Sequence, residues 1–518
     1  MPKPMRLRAR TSYAPWALFL SVLLLQACAT PSLKQEIIRD PPGFAPPPAL
    51  FGPLAEVALS VTGQHGEHHS GFHLLDGSHE GLAWRLALID SAVSSLDIQT
   101  YLWHADSSGR LLVDRALRAA ERGVKVRLLV DDLLTIGLDQ AIYELHRLPN
   151  VEFRLFNPWE DRTLVARAGE MLVNMERLNT RMHDKLLIAD GRAAVVGGRN
   201  LGDSYYGLSE EFNFHDLDVL GFGDIARQSN AMFDHFWNSE WVVSARNLDL
   251  EHDPEFARQS LQTVRAKVAQ DEALAAFPRE PRDWSEELAA LRTELRIGTS
   301  ELVFDATNEG EIARKVYAGL FGMLNQAQQE LLITNAYIIP GQLAIDRLQE
   351  MTARGVDVRI LTNSLASLDV PAVNSHYKSW RDDIIGAGAR LYELRADAAI
   401  QSSLVEVPPV RAKFVGLHTK AFVIDRRLSF IGSMNFDPRS ANINTEAGAF
   451  IDSPELAADL VAIMQRDMAP ENAWQVLLDE DGDPYWVNSD ETVHRQPARG
   501  CGQRIMDLLF RMFPKEQY

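Results

Sequence analysis

Apolar and polar positions follow a repeating order along most of the chain. Residues 87–103, ALIDSAVSSLDIQTYLW, begin with helical spacing and end in a strand-like run, and residues 115–132, RALRAAERGVKVRLLVDD, do the same. The order returns at 322–341, GMLNQAQQELLITNAYIIPG, and at 347–364, RLQEMTARGVDVRILTNS. Arg122-Gly123-Val124 in one half answers Arg354-Gly355-Val356 in the other. Each marks a helix that stops at Gly and passes into a buried strand, because Gly adopts the left-handed conformation that closes a helix. Alternating helices and apolar strands predict an α/β sandwich. Their recurrence predicts a fused duplication.

The duplication carries polar groups with it. HDKLLIAD at His183–Asp190 is matched by HTKAFVID at His418–Asp425, and GGRN at Gly197–Asn200 by GSMN at Gly432–Asn435. HDKLLI reads as a strand that turns at Asp190-Gly191 into AAVVGG. Strand side chains alternate, so His183 and Lys185 share a face, as do His418 and Lys420. The glycines that end the return strands let backbone approach that face, and a pseudo-twofold axis would bring both sets to one pocket. Two His, two Lys and two Asn suit phosphodiester transfer. One imidazole can attack phosphorus, the other can carry a proton to and from the alcohols, and the ammonium and amide groups can hold the phosphoryl oxygens. No metal or other cofactor is expected.

With these stretches the chain resembles the phospholipase D superfamily, whose signature is the HKD motif, and within it the bacterial cardiolipin synthases of the C type. GGRNLGDSYY at 197–206, DLDVLGFG at 216–223, LTNSLASLDVPAVNSHY at 361–377 and GSMNFDPRSANINTEAG at 432–448 carry the closer likeness. The resemblance implies two pseudo-twofold-related domains, each a mixed sheet flanked by helices, with one shared active site. It implies His183 as nucleophile, His418 as acid and base, and Lys185, Lys420, Asn200 and Asn435 as phosphate ligands. Asp190 and Asp425 complete the motifs and sit at the hairpin turns, where they buttress. A carboxylate should orient each His through its other ring nitrogen; Asp216 is expected on His183 and Glu446 on His418. Gly198 stands where the second half has Ser433, so one phosphate-binding hydroxyl is expected to be missing. The implied reaction is phosphatidyl transfer that makes cardiolipin from phosphatidylglycerol and a second phospholipid, either phosphatidylglycerol or phosphatidylethanolamine. A hydrolytic phospholipase D, a periplasmic nuclease and a catalytically inert lipid-binding protein are the alternatives.

The N-terminus adds a compartment. Lys3, Arg6, Arg8 and Arg10 precede the apolar run WALFLSVLLL and then LQAC at Leu25–Cys28. The run is short for a membrane span and suits a secretory signal. LQAC resembles a lipobox, so residues 1–27 are expected to be removed and Cys28 lipidated. That places the chain on the periplasmic side of a bacterial membrane, and Ala29 favours the outer one. Residues 28–54 are Pro-rich and read as an extended tether.

The domains are expected at 55–245 and 301–499, with a solvated helical linker at 246–300. Net charge is −19, and loss of the four N-terminal cations leaves −23. That disfavours nucleic acid, which binds through Lys and Arg, and leaves membrane phospholipids as partners. Cys501 is the only other cysteine and has no assigned role. Asp369, Tyr377 and Arg381 suit either the pocket mouth or loop packing. In the C-terminal segment 500–518, Ile505, Leu508, Leu509 and Met512 line one helix face flanked by Arg504, Arg511 and Lys515. Such a face usually packs on the protein body, although its cations also suit a lipid interface.

Overall fold

A computed structural model describes residues 37–510 apart from 136, 161, 163–166, 168, 171–173, 309 and 310. The expected signal segment, Cys28, the start of the tether, and Arg511, Met512 and Lys515 lie outside the described residues.

The first half supplies β1 (His69–Leu75), β2 (Ser95–Thr100), β3 (Lys125–Asp131), β4 (Val151–Phe156), β5 (Leu186–Ala189), β6 (Ala193–Gly197), β7 (Phe212–His215), β8 (Asp218–Gly223) and β9 (Val242–Ser244). The second supplies β10 (Arg296–Phe304), β11 (Ala306–Asn308), β12 (Glu311–Ala313), β13 (Glu330–Asn335), β14 (Asp357–Asn363), β15 (Arg390–Leu394), β16 (Phe414–Leu417), β17 (Lys420–Ile424), β18 (Leu428–Gly432) and β19 (Ala447–Asp452). Three short strands follow, β20 (Ala473–Leu478), β21 (Pro484–Val487) and β22 (Thr492–Val493).

The two halves share one 18-stranded mixed sheet. In space the first half runs β9-β4-β3-β2-β5-β6-β8-β1. The second runs β10-β19-β18-β17-β13-β14-β15-β20 before the β21-β22 extension. The halves meet through antiparallel β1 and β10, with His69 opposite Thr299. Strand order mirrors across this seam, as a duplication with a pseudo-twofold requires. Helices Asp224–Trp237 and Pro454–Asp467 bury one core over both halves, joining Phe72, Ile188 and Phe233 to Leu332, Val423 and Leu460. Because that core crosses the seam, the halves cannot part without exposing it.

The tightest local device in each half is the motif aspartate. Asp190 (φ 57°) and Asp425 (φ 50°) occupy the left-handed turn conformation that Asp tolerates. The Asp190 carboxylate accepts the backbone N–H groups of Val93, Ser94 and Ser95 at 3.0, 2.7 and 3.1 Å. Asp425 accepts those of Gln328, Gln329 and Glu330 at 2.9, 2.8 and 2.9 Å. Each clamps the HKD hairpin to the entry of its neighbouring strand, at the far end of β5 or β17 from the histidine. Both carboxylates are taken up by backbone N–H groups.

Three expectations need correction. Residues 38–49 of the tether are docked: Ile38 N–H donates to Asn247, Gly43 N–H to Asn238, Ala45 N–H to Asp234 and Ala49 N–H to the Asp190 carbonyl. Proline removes donors but leaves the intervening N–H groups free to bond. The segment 246–300 is not a solvated linker, since Val268, Leu274, Phe277, Trp284, Leu288 and Leu291 are buried in the first-half core and β10 already begins at Arg296. Helix Cys501–Phe510 does not turn its apolar face inward, because Ile505, Leu508 and Leu509 are exposed.

Asp190→Ala or Asp425→Ala should each cost about 2–4 kcal/mol in urea unfolding, since three backbone donors lose a charged acceptor.

Candidate active site

The sheet seam brings the two motifs together, and the backbone does the aiming. His183 N–H donates to the Thr445 carbonyl at 3.0 Å, and Thr445 N–H to the Arg181 carbonyl at 2.9 Å. On the other side β7 and β16 run parallel from Phe212 opposite Phe414 to His215 opposite Leu417. His418 N–H then donates to the His215 carbonyl at 2.8 Å. Each histidine therefore lies beside the residue that precedes the other half's acid.

The consequence reverses the expected carboxylates. His183 Nδ1 bonds Glu446 Oε2 at 3.0 Å, and His418 Nδ1 bonds Asp216 Oδ2 at 2.6 Å. Within one half, a straight offset points to Glu211 and the match of the following apolar strand to Asp216 on His183, with Glu446 on His418, but pairing across the seam crosses the two acids. With Nδ1 engaged on the carboxylate, Nε2 is the other ring nitrogen of each histidine, and His183 also bonds the Ser433 backbone.

Lys185 and Lys420 are buried, and each donates to the backbone carbonyl of its own motif histidine. Their charges reach both imidazoles. Burial, then Lys185, Lys420 and Arg439, hold His183 well below its ordinary pKa. Burial and Lys420 push His418 down to about 4 against the pull of Asp216. For Asp216, burial favours the neutral acid, but His418, Lys420 and Arg199 overcome it and hold the carboxyl below its ordinary range. The two shifts pull opposite ways within one pair. An ionised Asp216 beside an imidazole that is neutral in the anion-free site satisfies both, since Lys420 and Arg199 stabilise the carboxylate without His418. Glu446 differs: burial raises it to about 7. The GGRN arginine, Arg199, has Met434 as its counterpart in GSMN, and the Lys185, Lys420 and Arg314 charges near Glu446 do not offset its burial.

The Gly198–Ser433 asymmetry is also about the acids. A Cβ on Gly198 would stand 2.5 Å from Asp216 Oδ1, so only glycine leaves that carboxylate its place. Ser433 Oγ instead donates to Glu446 Oε2 at 2.5 Å and accepts from Ala447 N–H at 3.0 Å. In this arrangement it buttresses Glu446. Asn200 accepts from Leu102 N–H at 3.2 Å and donates to the Tyr205 hydroxyl at 2.8 Å, while Asn435 Oδ1 is buried with no hydrogen-bond partner.

Aromatic walls complete the site and were not foreseen. Tyr101 packs edge-on to His183, with ring centroids 5.2 Å apart, and Lys185 Nζ lies 5.3 Å from the Tyr101 ring centre. Tyr205 and Phe214 flank His418 at 5.2 and 4.8 Å. The available signal was their place, at the end of β2 and within GDSYY and FNFHD. Asp369 accepts from the Tyr337 hydroxyl at 2.8 Å near Lys420. Tyr377 and Arg381 both bond Glu393 inside the second-half core. Among the described residues, no group of three or more His, Cys, Asp or Glu is placed to hold a metal ion.

Burial lowers Lys185 to about 7, so it is mainly protonated below that pH and mainly neutral above. Sulfate stays a dianion throughout, and its affinity by calorimetry should fall about tenfold between about pH 6 and about pH 8 as this proton is lost.

Comparison with known proteins agrees with the doubled geometry. The family model described as "Cardiolipin synthase, PLD-like domain" matches residues 86–237 and 320–468, one segment in each half. Cardiolipin synthase C of Escherichia coli (strain K12) is 34% identical over 474 residues, spanning 89% of this chain and 99% of that protein. The major cardiolipin synthase ClsA of Bacillus subtilis (strain 168) is 24% identical over 413 residues, 79% of this chain and 71% of that one. Among solved structures, phosphatidylserine synthase of Haemophilus influenzae Rd KW20 superposes with a TM-score of 0.53 at 15% identity, over 77% of this chain and 86% of that one, a likeness of fold. Matched in both halves by one family model, and along nearly the whole length of a relative, the chain belongs to the cardiolipin synthase, phospholipase D-like family.

Proposed function

We propose that this enzyme transfers a phosphatidyl group between alcohols through a phosphohistidine, and that its product is cardiolipin. The observation that carries the reading is the crossed pair of histidines, each with Nδ1 held by the other half's carboxylate and both within reach of two lysines. His183 Nε2 attacks the phosphorus of a donor phospholipid. The bond from phosphorus to the head-group oxygen breaks, and His418 Nε2–H gives that oxygen a proton. The free glycerol hydroxyl of phosphatidylglycerol then loses its proton to His418 and attacks phosphorus. The phosphorus–nitrogen bond to His183 breaks and cardiolipin leaves. With phosphatidylglycerol as donor the first alcohol released is glycerol; with phosphatidylethanolamine it is ethanolamine.

The unequal environments support this division of roles. A nucleophile must be neutral, and burial with Lys185 and Lys420 holds His183 well below its ordinary pKa. A proton carrier profits from an ionised partner, and Asp216 is the carboxyl kept charged. A bound phosphodiester adds negative charge, which favours the imidazolium at His418 when the leaving alcohol needs its proton. Water in place of the lipid alcohol would give phosphatidic acid by the same residues. The name and near-complete coverage of the Escherichia coli relative favour the lipid acceptor. The N-terminal signal and LQAC at Leu25–Cys28 support a lipid anchor on Cys28 at the periplasmic side, in the outer membrane by Ala29.

Purified enzyme given defined phosphatidylglycerol and phosphatidylethanolamine should make cardiolipin, resolved by mass spectrometry; phosphatidic acid alone would replace the transferase by a hydrolase. A p-nitrophenyl phosphatidyl ester needs no proton on its leaving group. With it, His418→Ala should release one equivalent of nitrophenolate in a burst and trap phosphatidyl on His183, while His183→Ala should give neither. An adduct on His418 in the His183→Ala enzyme reverses the two roles. Radiolabelled palmitate should enter the native chain and not Cys28→Ser.

A further inference from the structure

Helix Cys501–Phe510 is mounted with its acid inside and its apolar side chains outside. Asp507 is 6% exposed, accepts from Asn374 Nδ2 at 2.6 Å and pairs with Lys378. Ile505, Met506, Leu508 and Leu509 are 59%, 45%, 61% and 53% exposed. The underside is secured elsewhere too. Gln503 Nε2 donates to the Leu365 carbonyl, and Arg499 donates to the Leu368 carbonyl at 3.2 Å with its guanidinium 3.4 Å from the Phe414 ring centre. Turning the helix over would bury the apolar row, but it would break the Asp507 and Gln503 contacts.

The segment that carries that row is basic. From His494 to Phe510 the charged residues are Arg495, Arg499, Arg504 and Asp507, and the single acid is the one turned inward. An apolar row with Arg504 in its helix, and Arg495 close to Arg504, stands out on a chain of net charge −19. Its position ties it to the site. Leu365 and Leu368 belong to the loop that leaves β14 and carries Asp369, and Asp369 lies within electrostatic reach of both Lys420 and Arg499. Val370, the next residue, is also exposed and begins helix Pro371–Tyr377, against which Cys501–Phe510 lies.

We infer that helix Cys501–Phe510 docks on an anionic phospholipid bilayer, its leucines, isoleucine and methionine entering the acyl boundary and its arginines meeting head-group phosphates, so that the active-site mouth is seated on the surface that holds its substrate. Apolar side chains beside a cationic rim are what an interfacial helix needs. The link to substrate delivery rests on the phospholipid reading above; the docking itself is measured without turnover.

The first experiment uses the full chain with Cys501→Ser and Leu508→Cys, labelled at residue 508 with an environment-sensitive nitrobenzoxadiazole dye. Phosphatidylglycerol vesicles should shift its emission to the blue and raise its intensity about threefold or more, as expected for a probe entering the acyl boundary. Phosphatidylcholine vesicles should do less, and the same dye on Glu286→Cys should not respond. A dye at 508 that ignores phosphatidylglycerol vesicles overturns the proposal. The second experiment uses Leu508→Glu with Leu509→Glu. Turnover on vesicles should fall about tenfold or more while turnover of dissolved short-chain phosphatidylglycerol stays within about twofold, because only the lipid surface has been lost. The melting temperature should hold, since both side chains are already in water. Unchanged vesicle turnover sinks the inference. So does a dimer in the native chain that this double variant makes monomeric by light scattering, because the face would then belong to a second copy. If the native enzyme turns over no phospholipid and the dye still responds, the docking stands and the functional reading falls.

Discussion

The site depends on one constraint: each motif histidine takes its orienting carboxylate from the opposite half. Nδ1 of His183 is held by Glu446 and Nδ1 of His418 by Asp216. Neither motif histidine finds its carboxylate within its own half, so the assembled site requires the seam. The seam in turn is built from the β1–β10 pair, the β7–β16 ladder, the bonds between Thr445 and residues 181–183, and a core shared by two helices. Anything that loosens it disorients both histidines together.

Pseudosymmetry places the groups, and departures from it give them different work. Arg199 against Met434 and Gly198 against Ser433 are small differences in sequence. In the buried site Arg199 adds to the groups that hold Asp216 down, while the Ser433 hydroxyl pulls Glu446 down without offsetting its burial. Asp216 stays charged beside His418, while Glu446 rises to about 7 beside His183. Two copies of one motif thus present two poorly basic imidazoles, of which His418 faces the carboxyl held below its ordinary range.

The motif aspartates show how conformation and function separate within a signature. Asp190 and Asp425 belong to the same eight-residue stretches as the catalytic groups, yet each faces three backbone N–H groups at the far strand end. They set the strand register that puts His183 and Lys185, or His418 and Lys420, on one face. Strand alternation carries that positional information along the hairpin.

Much of this was legible in the chain itself. The α/β class and the duplication follow from apolar spacing, because burial on a helix or strand leaves a period in the sequence. The pairing of His with Lys on one face follows from the same rule at two-residue range. What tertiary structure alone decided was every choice made across the seam. Asp216 and Glu446 were both found as candidates but assigned to the wrong histidines, because an offset within one half says nothing about which strand of the other half lies alongside. Residues 38–49 and the helices of 246–300 read as solvated, since prolines and charges dominate their composition while their N–H groups and a few apolar side chains do the docking. The direction of helix Cys501–Phe510 was undecided for the same reason. Periodicity gives a helix an apolar face, but only contacts such as Asp507 to Asn374 and Lys378 determine which way that face points.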